Sequence, residues 1–207
     1  MTTLTVRQAV EHARKLLGSR PGRVILGIAG APGAGKSHLS AALPAAIPDS
    51  VVVGMDGFHL AHSALTARGD VERKGAIDTF DAHGYLALLR RIRQQGAETI
   101  WAPEFRRELE DAIAGAVEVS PAARLVVTEG NYLLAQASPW DRVRELCDEV
   151  CFVDPGEQVR LERLIARHVR YGRTPDQARR RATEGTDADN AQLVAASRER
   201  ADVIVQA

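Results

Sequence analysis

The chain has 207 residues, 45% hydrophobic and 26% charged, and its 27 basic residues balance 27 acidic ones. That length suits one folded domain with an ample core, and the balance argues against a basic surface for nucleic acid or anionic membrane. No apolar run approaches the roughly 20 residues that span a bilayer, and no secretory leader is evident, so a cytoplasmic protein is expected.

Leu4 to Leu17 carries Val6, Ala9, Val10, Ala13 and Leu17 at helical spacing, which predicts an amphipathic first helix. Arg23 to Ala29 is a short β-branched run that reads as a buried strand. Residues 30 to 37 then read Gly30-Ala31-Pro32-Gly33-Ala34-Gly35-Lys36-Ser37, a complete match to G-x-x-x-x-G-K-[ST]. Glycines open backbone conformations in which successive N–H groups face phosphate oxygens, and Lys36 adds a mobile charge for the terminal phosphates. The Ser37 hydroxyl is a hard oxygen ligand suited to Mg²⁺, and the following helix aims its positive end at the same anion. That helix is predicted over Ser37 to Ile47, past His38, with Pro44 a kink or early stop. Strand, loop and helix together form the setting the motif requires, and one of only three lysines stands where the loop needs it.

Ser50 to Met55 is a second buried strand, and Asp56 to Phe80 is irregular with a short helix around Leu60 to Thr66. Gly84 to Gln94 reads as a helix, Thr99 to Trp101 and Ala116 to Val119 as short strands of a side hairpin, and Arg124 to Thr128 as a core strand. Cys147 and Cys151 lack C-x-x-C spacing and a nearby histidine, which predicts buried thiols. Glu149 to Val153 is another strand, after which Asp154-Pro155-Gly156-Glu157 carries the signature of a helix N-terminus with Asp154 as cap. Helices over Pro175 to Thr183 and Asp187 to Ser197 precede a last strand, Asp202 to Val205. Apolar strands alternating with helices predict an α/β fold with a mostly parallel, five-stranded core sheet covered on both faces.

Phosphate chemistry needs three more parts. Glu129 closes the strand Arg124 to Thr128, at the rim where ligands collect, and is the candidate to steady a magnesium shell. Asp56 closes the second strand, where it can deprotonate an acceptor hydroxyl. Arg160, Arg163, Arg167 and Arg170 form one helical stripe, and Arg173 follows in a loop. Arg160 and Arg163 are expected on a solvated face and Arg179 to Arg181 on the surface. Arg167, Arg170 and Arg173 are candidates for a closing lid that supplies charge and excludes water.

The octapeptide, MDGFH at 55 to 59, RKGAIDTFD at 73 to 81, EGNYLL at 129 to 134 with Trp140, and RHVRYGRT at 167 to 174 resemble the phosphoribulokinase/uridine kinase family. The resemblance is greatest to bacterial fructose-transport-system or nucleoside kinases, relatives of pantothenate kinase, and runs from about Val24 to the C-terminus. It implies a P-loop NTPase fold with an Arg-rich helical lid at about 163–185, ATP and Mg²⁺ as cofactors, and Asp56 as catalytic base. It also implies Arg167, Arg170 and Arg173 as lid arginines, and an acceptor site near Lys74, Asp78 and Asp81. His59, Arg107 and Tyr132 are further candidates for lining that site, and Asp187 and Asn190 would lie near the adenine. Two departures stand out: Ile77 where the pattern has proline, and Arg106 where it has aspartate, the second bearing on acceptor specificity.

The expected activity is therefore phosphorylation of a hydroxyl on a small metabolite, a sugar or a nucleoside, with a pantothenate-type acceptor as the alternative. A non-catalytic ATP-binding accessory of a transport system is the competing class, opposed by intact Lys36, Ser37, Asp56 and Glu129. A switch GTPase is disfavoured by the absence of N-K-x-D. The expected partner is a small-molecule acceptor, with no nucleic acid or membrane, and the chain is a monomer or homodimer.

Overall fold

The computed structural model describes residues 1–207. Its centre is strand β2 (Val24–Ala29), in which every residue is buried. β2 lies between β6 (Leu125–Gly130) and β7 (Glu149–Val153), with β3 (Ser50–Gly54) outside β6. β8 (Val203–Gln206) and then β1 (Thr2–Thr5) extend the other edge, and all pairings are parallel.

The sheet thus has six strands, one more than the apolar pattern predicts. β1 is the addition: Thr2-Thr3-Leu4-Thr5 has no apolar alternation because it is a mostly exposed edge strand, held by backbone pairing to β8. Helix α1 accordingly starts at Val6 and runs to Ser19, capped by Thr5 in a box with Gln8. Helix α2 (Lys36–Ala46) continues through Pro44, since one lost hydrogen bond near its end is outweighed by buried Leu39 and Leu43.

α1 and α2 cover one face of the sheet, packing Ala9, Ala13, Leu39 and Leu43 on Leu26 and Ile28. The other face packs Ile25 and Val126 against Tyr85, Leu89 and Ile92 of α4 (Ala82–Arg93). Before α4 the chain makes a 3₁₀ turn (Met55–Phe58) and a short helix, α3 (His62–Arg68). The side hairpin is longer than predicted, with β4 (Ile100–Arg106) antiparallel to β5 (Asp111–Val119). A short helix, α5 (Val143–Leu146), leads into β7, and Cys147 and Cys151 are both buried and free.

Helix α6 (Glu157–Arg170) is followed by α7 (Pro175–Glu184) and α8 (Thr186–Ala195). Asp154 does not cap α6. Gly156 holds the N-cap position with φ 86°, while Asp154 accepts from the Gly156 N–H and from Arg198. No helix is long and apolar enough to cross a membrane.

Candidate active site

The chain passes from β2 to β3 on one side of the sheet and later crosses from β6 over β2 to β7 on the other, so a crevice opens at the carboxyl ends of these strands. The octapeptide occupies it. The N–H groups of Gly33, Gly35, Lys36 and Ser37 have no protein acceptor, and those of Lys36 and Ser37 begin an 11-residue helix with no side-chain cap. Such a ring of free donors fits an anionic chain of phosphates. Gly33 is required twice over: its φ is 85°, and a Cβ there would lie 2.5 Å from the Arg160 carbonyl oxygen.

Lys36 Nζ donates to Gly30 O at 2.7 Å, Ala31 O at 3.3 Å and Asn131 Oδ1 at 2.7 Å. Burial pushes its pKa down to about 8, against the opposing pull of Glu129 and Asp56. Glu129 pairs in register with Ile28 on one side and Gly54 on the other, which fixes it beside the loop. Its Oε1 lies 3.4 Å from Ser37 Oγ, and Ser40 Oγ donates to Oε2 at 3.1 Å. Burial raises its pKa, and Lys36 counters part of that rise.

Asp56 sits in the 3₁₀ turn after β3 with its carboxylate half-exposed, 3.9 Å from Arg107. His59 Nδ1 lies 2.8 Å from the Asp56 carbonyl oxygen, which can only accept, so Nδ1 carries the proton and Nε2 is left an acceptor. Burial lowers the His59 pKa and keeps the ring neutral.

These groups line a cavity of about 550 Å³ together with Lys74, Phe105, Arg107, Arg167 and Arg173. Lys74 Nζ donates to the Glu110 carbonyl and lies 5.1 Å from the Phe105 ring centre. The Arg167 guanidinium makes no hydrogen bond or ion pair with the protein, and burial, then Arg107, lowers its pKa. Arg173 is exposed at the mouth.

Arg160 is not on a solvated face, whereas Arg163 is exposed as expected. Arg160 is 5% exposed, donates to Pro32 O at 3.0 Å and grips Glu157 with two bonds of 2.7 Å. The same bonds hold the Glu157 pKa down. Arg163 reaches the Ala34 and Ala207 carbonyls. The first half of α6 therefore braces the back of the phosphate loop, while its last turn presents Arg167 to the cavity. Arg181, expected on the surface, also lines the cavity and lies 3.8 Å from Asp187.

Several predicted site residues have other local roles. Asp81 caps α4 by accepting from Gly84 N at 2.8 Å, and Asp78 is an exposed partner of Arg73 at 2.7 Å. Arg170 and His38 are exposed and away from the cavity lining. Tyr132 is fully buried, its hydroxyl 2.6 Å from both Gly75 O and Asn190 Oδ1. Asn190 also donates to Gly75 O at 2.9 Å, so both residues brace the segment that carries Lys74. Asp187 pairs with His168 at 2.7 Å, and burial lowers the His168 pKa despite that partner. Asn131 was missed, although it stands two residues after Glu129 on the same strand-end rim. The Glu157–Arg160 spacing, i and i+3, was the one local sign that Arg160 is paired.

The family model for the phosphoribulokinase/uridine kinase family matches residues 25–207. A crystal structure from Silicibacter sp. TM1040, provisionally named a fructose transport system kinase, superposes with a TM-score of 0.88 at 37% identity, covering 97% of this chain and 98% of that one. A provisionally named uridine kinase of Schizosaccharomyces pombe is 31% identical over 196 residues, 89% of this chain and 83% of the relative. An ATP-dependent kinase-like protein of Aspergillus versicolor is 36% identical over 131 residues, 60% of this chain and 76% of the relative.

Proposed function

Because the chain belongs to the phosphoribulokinase/uridine kinase family, kinases that act on a hydroxyl of a small metabolite, we propose that it transfers the γ-phosphoryl group of Mg²⁺-bound ATP to a sugar or nucleoside hydroxyl. The observation that carries this reading is the convergence of Lys36, Asp56 and Glu129 on one cavity rim beside a ring of free N–H groups.

The loop amides and Lys36 bind the phosphates, which draw the Lys36 ammonium away from the Gly30 and Ala31 carbonyls. Ser37 Oγ and Glu129, through its shell, would hold Mg²⁺, and the ion would neutralise phosphate charge. Asp56 takes the acceptor proton as the alcohol oxygen bonds to the γ-phosphorus, and the bond from that phosphorus to the bridging oxygen of ADP breaks. Lys36 and Arg167 stabilise the charge on the transferring group, and the half-exposed Asp56 returns its proton to water. The segment at about 163–185 acts as the lid. Arg167 is its inner cation and Arg173 its outer one, since neither guanidinium is engaged within the protein.

ADP release from Mg²⁺-ATP over a panel of acceptors tests the proposal. Asp56→Asn should lower kcat by about 10²–10⁴ while leaving ATP affinity unchanged, the contribution typical of a general base. Near wild-type turnover by Asp56→Asn would sink the assignment.

A further inference from the structure

Gly130, the last residue of β6, pairs with Ala29 at the mouth of the phosphate loop and leaves no room for a side chain. A Cβ there would lie 2.5 Å from the Met55 Cβ and 2.7 Å from Leu133 Cδ1. That packing fixes the backbone on both sides of it. Side chains two apart leave a strand on the same face, so Asn131 follows Glu129 toward the first turn of α2. The contacts agree: Glu129 lies by Ser37 and Ser40, and Asn131 Oδ1 accepts from Lys36 Nζ at 2.7 Å.

An ammonium can only donate, so the carboxamide atom facing Lys36 is the oxygen, and chemistry settles the orientation of Asn131. Nδ2 is therefore directed elsewhere. It has no acceptor in the protein, it is not sealed in the core, and its residue belongs to the cavity wall. Lys36 is within charge reach of Asp56 in the same cavity. The γ-phosphoryl group has to pass from the Lys36 side to an alcohol oxygen at Asp56. In flight its charge is spread over three equatorial oxygens, each an acceptor only. Lys36 and Arg167 supply cationic donors. Nδ2 supplies a neutral one, held beside the ammonium because Oδ1 and Nδ2 share one carboxamide.

We infer that Asn131 is a catalytic residue of the transfer. Its Oδ1 holds the Lys36 ammonium as that group swings from the Gly30 and Ala31 carbonyls to the phosphates, and its Nδ2 donates to an oxygen of the transferring phosphoryl group. The inference rests on the kinase reading and adds a group to it. No bond of Asn131 is made or broken: the alcohol oxygen gains the phosphorus, ADP keeps the bridging oxygen, and the proton passes to Asp56.

The test is calorimetric titration of the full chain with Mg²⁺-ADP, and with Mg²⁺-ADP plus aluminium fluoride as a planar stand-in for the phosphoryl group. Asn131→Leu keeps the shape and loses both polar atoms. Its Kd for Mg²⁺-ADP should stay within about threefold of wild type, while the fluoroaluminate complex should weaken about tenfold or more. Its kcat with the best acceptor of the panel should fall about 10²-fold at unchanged acceptor KM, the cost typical of one lost donor to a developing charge. Asn131→Asp offers Lys36 an acceptor but has no N–H, and should lose as much.

Equal shifts for the two ligands, or none, overturn the inference. So does an aspartate variant at wild-type level beside a weakened leucine variant, which would mean that Asn131 acts through Lys36 alone. A raised acceptor KM with the fluoroaluminate affinity intact would place Nδ2 on the acceptor and overturns it too. The titrations need no acceptor, which separates this failure from that of the kinase reading. Full turnover by Asp56→Asn removes the kinase mechanism, whereas unshifted titrations of Asn131→Leu beside a crippled Asp56→Asn remove only the role of Asn131.

Discussion

Replacing Arg160 with methionine probes a link between α6 and the phosphate loop that spans 128 sequence positions. The side chain is 5% exposed, and its Nη1 is the donor to the buried Pro32 carbonyl. Methionine keeps most of the apolar stem but leaves that carbonyl without its charged donor, a loss of about 1.5–3 kcal/mol. Glu157 adds little, because its side chain is 69% exposed and water replaces the partner. A net loss of about 2 kcal/mol lowers Tm by about 4–8 °C for a chain of this size. The more telling effect is on ATP. With the Pro32 carbonyl free to turn, the Gly33 N–H that follows it loses its aim, and a deficit of about 1.4 kcal/mol raises the ATP Kd tenfold. Calorimetric titration of ATP beside a thermal melt measures both, and kcat and the acceptor KM should stay within about threefold. Arg160→Lys, which keeps a cationic donor, should recover part of the affinity. A variant that melts lower but binds ATP within twofold of wild type would refute the coupling and reduce Arg160 to packing.

Four other outcomes follow from the same geometry. ATP affinity should be flat below pH 8 and weaken as pH rises above it, because the Lys36 pKa of about 8 is raised by bound phosphates and ATP must then bring a proton with it; affinity flat to pH 9.5 would contradict this. Glu129→Gln should shift the Mg²⁺ midpoint of activity upward at least tenfold with little change in ATP binding without metal. In the wild type, Mg²⁺ affinity should fall with acidification sooner than for an ordinary carboxylate, since burial raises the Glu129 pKa and its protonated form holds no metal. Gly33→Ala should fold yet lose ATP binding, by about 100-fold or more in Kd, because its methyl can be placed only by moving the loop off the Arg160 carbonyl; equilibrium dialysis measures it, and wild-type affinity would mean that the loop relaxes freely.

Much of the site was legible because its parts are local. A phosphate loop is eight consecutive residues, and Asp56 stands just past the apolar strand β3 while Glu129 stands at the C-terminal end of β6, where a parallel sheet brings strand ends to one rim. The buried strands and the helices around them were legible for the same reason, since each carries its own apolar pattern. β1 was not, because an exposed edge strand held by backbone bonds leaves no such pattern.

The sequence by itself determined the α/β class, the phosphate loop and the two carboxylates beside it, all of which depend on short-range order. Only the tertiary structure decided what the other charged residues do. Arg160 and Arg167 lie on one helix seven positions apart, yet one braces the loop from behind and the other faces the cavity. Asp81 matches a family motif but caps its own helix, whereas Asn190, far along the chain, reaches Gly75. His59, one of several loop histidines, bridges two phenyl rings that come from different segments. A charged or polar side chain takes whichever partner the fold brings within hydrogen-bond reach, and those partners lie up to 137 positions away, beyond what any local spacing encodes.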